Sequence, residues 1–278
     1  RAPQPDERSG YVADYAYHFD AALIGDFLKR WSTVRGVRRL VGTVNQVRVH
    51  ENGDIAGVDT PEHGQVDADF FVDCTGFASL LIGKTLNVPF QPYKQWLFND
   101  SAVAMPTPLD ADGTLPSETL SRALKFGWVW KIPLTNRYGN GYVYSSEYVD
   151  KDAAERELRE TLGLLDSPVE ARHLRMRVGR VEKSWVRNCL AVGLAQGFIE
   201  PLEATALMIV QDTVDMFMQR YEQGGFSERY RADVNEKINL IFDGVKNYVF
   251  THYKLNSRSD TEYWVNAREP TPLTPALA

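Results

Sequence analysis

One stretch, Cys189-Leu-Ala-Val-Gly-Leu-Ala-Gln-Gly-Phe-Ile-Glu-Pro-Leu-Glu-Ala-Thr-Ala-Leu207, constrains this chain more than any other. It opens on a short apolar run, the pattern of a buried strand. Gly193 and Gly197 then give a loop. Pro201 suits the first position of a helix, where no amide partner is needed. Leu202, Ile209, Val210, Val214, Phe217 and Tyr221 supply that helix with one apolar stripe. Strand, glycine loop and helix start together make a place where a ligand meets free backbone amides. Those amides and the helix dipole favour an anion. A simpler reading stays open, in which the glycines only turn the chain and Glu200 or Glu203 caps the helix. An anion there is compatible with Glu203 if that carboxylate points to a different chamber.

Around this stretch the pattern mixes helices and strands. Asp20 predicts a helix through about Val34, with Ala21, Leu23, Ile24, Phe27, Leu28 and Trp31 on one face and Gly36 after it. Residues 40–49 alternate and are β-branched, and Asn52-Gly53 predicts a turn into a returning strand over 55–58. Residues 66–73 predict a strand entering Cys74-Thr-Gly76 and a short helix to about Gly83. Cys74 is expected to be a buried small residue. The region 96–149 reads as mostly β, with strands over 125–134 and 141–146 joined across 135–140. An acidic amphipathic helix follows over 150–163. Residues 174–181 predict a strand. Arg172, Arg175, Arg177 and Arg180 are read as a solvated edge in preference to a phosphate reader. Long helices are expected near 201–222 and 230–253, while residues 1–16 are polar and irregular. The fold class is α/β, or α+β mixed, with helices gathering at the C-terminal end.

Composition excludes several functions. The 278 residues carry a net charge of −6, which argues against a nucleic-acid binder. The two cysteines, Cys74 and Cys189, form no CxxC pair and the five histidines are scattered, so no metal site is expected. Reduced thiols fit a cytoplasmic location. The longest apolar runs are too short to span a bilayer, so no membrane partner is expected. Six tryptophans suffice to line an aromatic pocket.

Two motifs carry a resemblance. Phe198-Ile-Glu-Pro-Leu-Glu-Ala-Thr205 and Gly127-Trp-Val-Trp-Lys-Ile-Pro133 resemble the flavin-dependent halogenases, the tryptophan halogenase group. Tyr17-His-Phe-Asp20, Asp26-Phe-Leu-Lys29, Asp73-Cys-Thr-Gly76, Asp100-Ser-Ala-Val103, Arg177-Val-Gly-Arg180 and Asp260-Thr-Glu-Tyr-Trp264 resemble the same family in the same order. The resemblance implies the FAD-binding fold shared by FAD-dependent monooxygenases and halogenases, here partial, with a helical substrate cap. Residues 1–210 would belong to the FAD-binding core and 211–278 to the cap.

The implied activity uses FADH2, O2 and chloride or bromide to form an electrophilic halogen that reacts with an electron-rich, indole- or tryptophan-like aromatic. By resemblance, Glu203 is the catalytic carboxylate that orients the electrophile or takes the arenium proton. The amides of Thr205 and Ala206 would hold halide; many members carry Gly at the position of Ala206. Leu194 and Leu207 would contact the flavin and Val44 its adenine end. Trp128, Trp130, Ile132 and Pro133 match the family signature, whose implied role is bulk that keeps substrate from the flavin. Asp73 and Gly76 resemble a second flavin motif. Tyr253 and Trp264 would bind substrate. Ser259 stands where tryptophan-specific members carry a glutamate, which favours an arene other than free tryptophan. His252 is read as a core or surface histidine. A separate flavin reductase is the implied partner, and a homodimer is open.

The family's GxGxxG fingerprint has no counterpart here. None of Lys29, Lys84, Lys94, Lys125, Lys131 and Lys183 can be assigned the family's catalytic role. The expectation is a C-terminal portion, short of about 150–200 leading residues and inactive alone. Two alternatives are an FAD-dependent aromatic monooxygenase and a non-catalytic remnant that serves as a binding module.

Overall fold

The computed structural model describes residues 16–111, 113–269, 272–274 and 276–277, so the irregular leading stretch lies, up to residue 15, outside the described residues. The chain divides into two compact units, Arg1–Arg39 with Ala102–Leu174, and Leu40–Ser101 with Arg175–Ala278.

The first unit is built on a five-stranded sheet in the order Arg172–Arg175, Ser101–Thr107, Tyr138–Tyr144, Gly127–Pro133, Leu120–Leu124. Its centre is an antiparallel hairpin that pairs Trp128 with Val143 and Trp130 with Gly141. The connection is shorter than the expected 135–140 loop, because the returning strand already begins at Tyr138. Gly139 and Asn140, residues that usually mark turns, lie inside the sheet. Asn140 is buried and its amide donates to the Met105 carbonyl at 3.2 Å and to Thr107 Oγ1 at 3.0 Å. Alternation places Val129, Tyr142 and Tyr144 in one core with Val103, Met105 and Leu158. Trp128 and Trp130 point to the opposite face.

Two helices belong to this unit. Helix α1, Ala21–Thr33, starts where Asp20 accepts from the amides of Ala22 and Leu23. Its apolar stripe faces outward: Leu23 is 65% exposed and Phe27 50%. Helix α2, Lys151–Leu162, is capped by Asp150, buries Ala154 and Leu158, and ends at Gly163 in the left-handed conformation.

The second unit holds three small sheets. Gln46–Val49, Ile55–Thr60 and Gly64–Asp67 form an antiparallel meander. Cys189–Ala191 pairs parallel with Phe71–Asp73 and antiparallel with Trp185–Val186. Gly179–Val181 lies between Phe90–Pro92 and Gly197–Phe198. Three expected strands are therefore shorter or divided: 40–49 is reduced to 46–49, 66–73 splits into two, and 174–181 splits into Arg172–Arg175 and Gly179–Val181. Helices α3 (Ala206–Gln223), α4 (Arg231–Lys254) and α5 (Glu262–Arg268) complete the unit. Among the described residues no helix is long and apolar enough to cross a membrane.

Candidate functional site

The strand Cys189–Ala191 is fully buried and carries the chain to Gly193, where φ of +66° starts a tight turn. Gln196 then fixes the loop: its amide donates to Ser184 Oγ at 3.1 Å and to Thr213 Oγ1 of α3 at 3.0 Å. Gly197 is required by space. A Cβ there would sit 2.6 Å from the Gly179 carbonyl oxygen and 2.9 Å from the Phe242 ring.

The helix does not run on from Pro201 as expected. Pro201–Glu203 forms one 3-10 turn, Ala204 takes a left-handed φ of +54°, and α3 begins at Ala206. The turn closes on the Ala204 amide, which donates to the Pro201 carbonyl at 3.0 Å, and the left-handed residue redirects the chain. An alanine in this conformation is strained, a feature that gathers at functional sites. Thr205 precedes α3 without a side-chain cap bond, so the first-turn amides have no helical acceptor.

A cavity of about 160 Å³ lies at this junction, and its walls include Gly193, Leu194, Thr205, Ala206, Leu207 and Phe242. Four residues singled out in the sequence therefore meet here: Leu194, Thr205, Ala206 and Leu207. Leu194 and Leu207 are 42% and 60% exposed. Glu203 is not among the lining residues. Its Oε1 lies 3.0 Å from Nε2 of His252 on α4. Val44 is half-buried ahead of the meander and does not line the cavity.

Tyr253 and Trp264 are both buried, with rings stacked at 6.1 Å and 27°. The Tyr253 hydroxyl donates to the buried carboxylate of Glu200, and Asn99 donates to both of them at 2.9 Å. Tyr263 donates to Asn99 Oδ1 at 3.0 Å. Burial pushes the Tyr253 phenol well above its ordinary pKa, and the charge of Glu200 adds to the effect. Trp128 is buried and Trp130 half-buried, with ring centroids 6.1 Å apart, while Ile132 and Pro133 end the same strand in the first unit.

Asp73 is fully buried at the end of its strand. One carboxylate oxygen accepts from the amides of Leu81 and Ile82, both at 2.8 Å, and the other from the amide and hydroxyl of Thr75. Gly76, at φ +68°, has open space where a Cβ would stand, so conformation alone demands glycine there.

Two expectations are corrected. Cys74 is exposed, not buried: of the strand before it only Asp73 is buried, and Val72 is exposed as well. Arg180 is not on a solvated edge: it is buried and pairs with Asp243 of α4 at 3.1 Å. The chain bends after Arg175, which sets Arg180 on a strand of its own under the helices. Arg177 stacks on Phe90 at 3.6 Å. The sequence reading named Glu200 only as a possible helix cap, a bond its side chain does not make, and it missed Asn99, Asp243 and the contact of His252 with Glu203. Only the Phe198-Ile-Glu-Pro201 run and the reading of His252 as a core or surface histidine touched any of these positions. Among the described residues no cluster suited to a metal ion occurs.

The sequence matches the family model "Tryptophan halogenase" over residues 2–278. It is 43% identical over 255 residues to tryptophan 6-halogenase SttH of Streptomyces toxytricini, covering 91% of this chain and 49% of that protein. It is 39% identical over 256 residues to tryptophan 7-halogenase RebH of Lentzea aerocolonigenes, covering 91% and 48%. Among solved structures, the flavin-dependent halogenase BrvH of Brevundimonas sp. BAL3 superposes with a TM-score of 0.91 at 31% identity, covering 99% of this chain and 56% of that one. The chain thus spans about half the length of the curated relatives it matches.

Proposed function

Since the chain belongs to the tryptophan halogenase family, we propose that its α3 junction holds halide and supplies the carboxylate for flavin-dependent halogenation of an electron-rich arene. The carrying observation is that Leu194, Thr205, Ala206 and Leu207 line one cavity while Glu203 lies outside its wall. An anion at the free amides and a carboxylate are then kept apart, as their mutual repulsion demands.

The residues present fit the implied cofactor. The cavity joins an exposed apolar pair, Leu194 and Leu207, to unpartnered helix-start amides, a combination suited to a flat ring beside a small anion. FADH2 with O2, when bound, supplies the oxidation that turns halide into an electrophilic halogen. This chain's residues do the rest. The Thr205 and Ala206 amides hold and desolvate chloride or bromide. Leu194 and Leu207 pack on the ring, and Val44 serves the adenine end.

Glu203 faces the arene. When the carbon–halogen bond has formed, the hydrogen on the same carbon leaves as a proton to the carboxylate, and its electron pair restores the aromatic ring. Trp128, Trp130, Ile132 and Pro133 supply bulk against direct oxygen transfer. Tyr253 and Trp264 are assigned to the substrate wall, with an indole-like arene as the substrate class. A separate reductase supplies FADH2.

The test has two arms. Bromide titrated into 15N-labelled protein is expected to shift the Thr205 and Ala206 amides saturably, and Glu203→Gln is expected to keep that titration. In assays with FADH2, O2 and bromide on this chain joined to the family's GxGxxG-bearing segment, Glu203→Gln is expected to lower brominated product about 10²–10⁴-fold. Silent amides would overturn the halide site. A product that gains one oxygen and no halogen isotope pattern would favour a monooxygenase.

A further inference from the structure

Two acidic side chains bracket the 3-10 turn, and two adjacent residues of α4 meet them. Glu200 precedes the turn and Glu203 ends it. Tyr253 donates to Glu200, and Nε2 of His252 lies 3.0 Å from Glu203 Oε1. The two contacts differ in kind. Glu203 and His252 are each more than a third exposed, so water competes for both and their contact alone fixes neither. Glu200 is fully buried, and a carboxyl group taken out of water depends on its hydrogen bonds. Its side chain makes no cap bond to its own turn. It reaches instead to Asn99, whose amide donates to it at 2.9 Å, and to the Tyr253 hydroxyl. Asn99 also donates to Tyr253 at 2.9 Å and accepts from Tyr263 of α5 at 3.0 Å. One buried network thus joins the start of the turn to the last turn of α4 and to α5.

From this geometry we infer that Glu200 is a positioning residue for Glu203. Through Tyr253 and Asn99 it sets where the Glu203 carboxylate stands against α4. The inference rests on the reading of Glu203 given above. The backbone between the two acids has little freedom. Pro201 holds its own φ, and the Ala204 amide closes the turn on the Pro201 carbonyl. A displacement of Glu200 is therefore carried to Glu203. The ring of Tyr253 stacks on Trp264, so the same network supports the residue assigned to the substrate wall. Acid and wall are then held in one frame, which a reaction between them requires.

The first test needs neither flavin nor substrate. The nuclear Overhauser effect between the His252 ring protons and the Glu203 methylene protons is measured in this chain. It is expected in wild type and expected to vanish in Glu200→Ala. Glu200→Gln, whose amide oxygen still accepts from Asn99 and Tyr253, is expected to keep it. Tyr253→Phe keeps the ring, removes only the hydroxyl and is expected to weaken it. No effect in wild type, or one of equal strength in Glu200→Ala, would overturn the inference. If Glu200→Ala does not fold, Tyr253→Phe decides, and an unchanged effect there overturns the inference.

The second test is turnover by the same chain joined to the family's GxGxxG-bearing segment, with every variant assayed well below its unfolding temperature. Glu200→Ala is expected to lower kcat by about 10²-fold, and Glu200→Gln to recover most of that loss. Tyr253→Phe is expected to lower kcat less, and to add nothing further in the Glu200→Ala background, because both changes break one network. A role in stability alone would leave kcat of the folded variants unmoved. Equal kcat in wild type and Glu200→Ala, or losses that add in the double variant, would overturn the positioning role. Absence of product from the wild-type enzyme would instead count against the halogenase reading, and the Overhauser measurement would still decide on Glu200.

Discussion

The indole of Trp130 lies across the backbone of Gly141 on the neighbouring strand, and a Cβ at that glycine would overlap its six-membered ring. The family signature thus extends to its partner strand: the second tryptophan needs a glycine opposite it. Gly141→Ala is expected to push the half-buried indole outward and to cost about 1–3 kcal/mol by overpacking. Urea unfolding gives the cost. A red shift of tryptophan emission, absent in Gly141→Ala/Trp130→Phe, would show that the indole is what moves.

Asp73 joins a strand end to the turn that follows, because one carboxylate collects four donors from Thr75, Leu81 and Ile82. Asp73→Ala leaves the buried amides of Leu81 and Ile82 without acceptors. The expected loss is about 3 kcal/mol, read from chemical denaturation. Asp73→Asn retains one acceptor oxygen and is expected to lose less.

Local chemistry was legible in the sequence where its partners are close. Asp20 and Asp150 cap the helices they were expected to start, and Gly163 ends the second in the left-handed conformation. The Asn52-Gly53 turn and the buried strand before Gly193 also follow from short-range pattern. What failed depends on distant partners. Asn140 leaves the turn because Met105 and Thr107 satisfy its amide. Arg180 is buried because Asp243 of α4 neutralises it. The helix break at Ala204 has no glycine to announce it. Within the site, Leu194, Thr205, Ala206 and Leu207 were singled out through the family resemblance, and they line one cavity. The pairing of His252 with Glu203 was not, since no local pattern couples a loop acid to the far end of a later helix.

The two cysteines should be distinguishable by reactivity. Cys189 is buried, and that burial, with the charge of Asp73, pushes its thiol up to about 12. Cys74 is exposed, yet desolvation and Asp73 also raise it above the ordinary range. The thiolate is the reactive form. At pH 8, a disulfide reagent is expected to titrate Cys74 slowly and Cys189 only after denaturant is added. Two fast thiols in the folded protein would contradict both placements.

Asp243 links the Gly179–Val181 strand to α4, and it should make stability depend on acid. Desolvation pushes its carboxyl up, but hydrogen bonds from Tyr93 and Arg180 outweigh that and hold it below the ordinary 3.8. A depressed folded-state value means that the unfolded chain binds the proton more readily. The contribution is therefore fully present above about pH 4 and is lost as pH falls through the folded-state value. Asp243→Asn removes this dependence. It also leaves the buried guanidinium of Arg180 poorly paired, at a cost of about 1–3 kcal/mol near neutrality. Unfolding free energies measured from pH 7 down to pH 3 are expected to show a steeper fall for wild type than for the variant, with the two curves converging at the acid end. Parallel curves would mean that the Arg180–Asp243 contact contributes nothing through its charge.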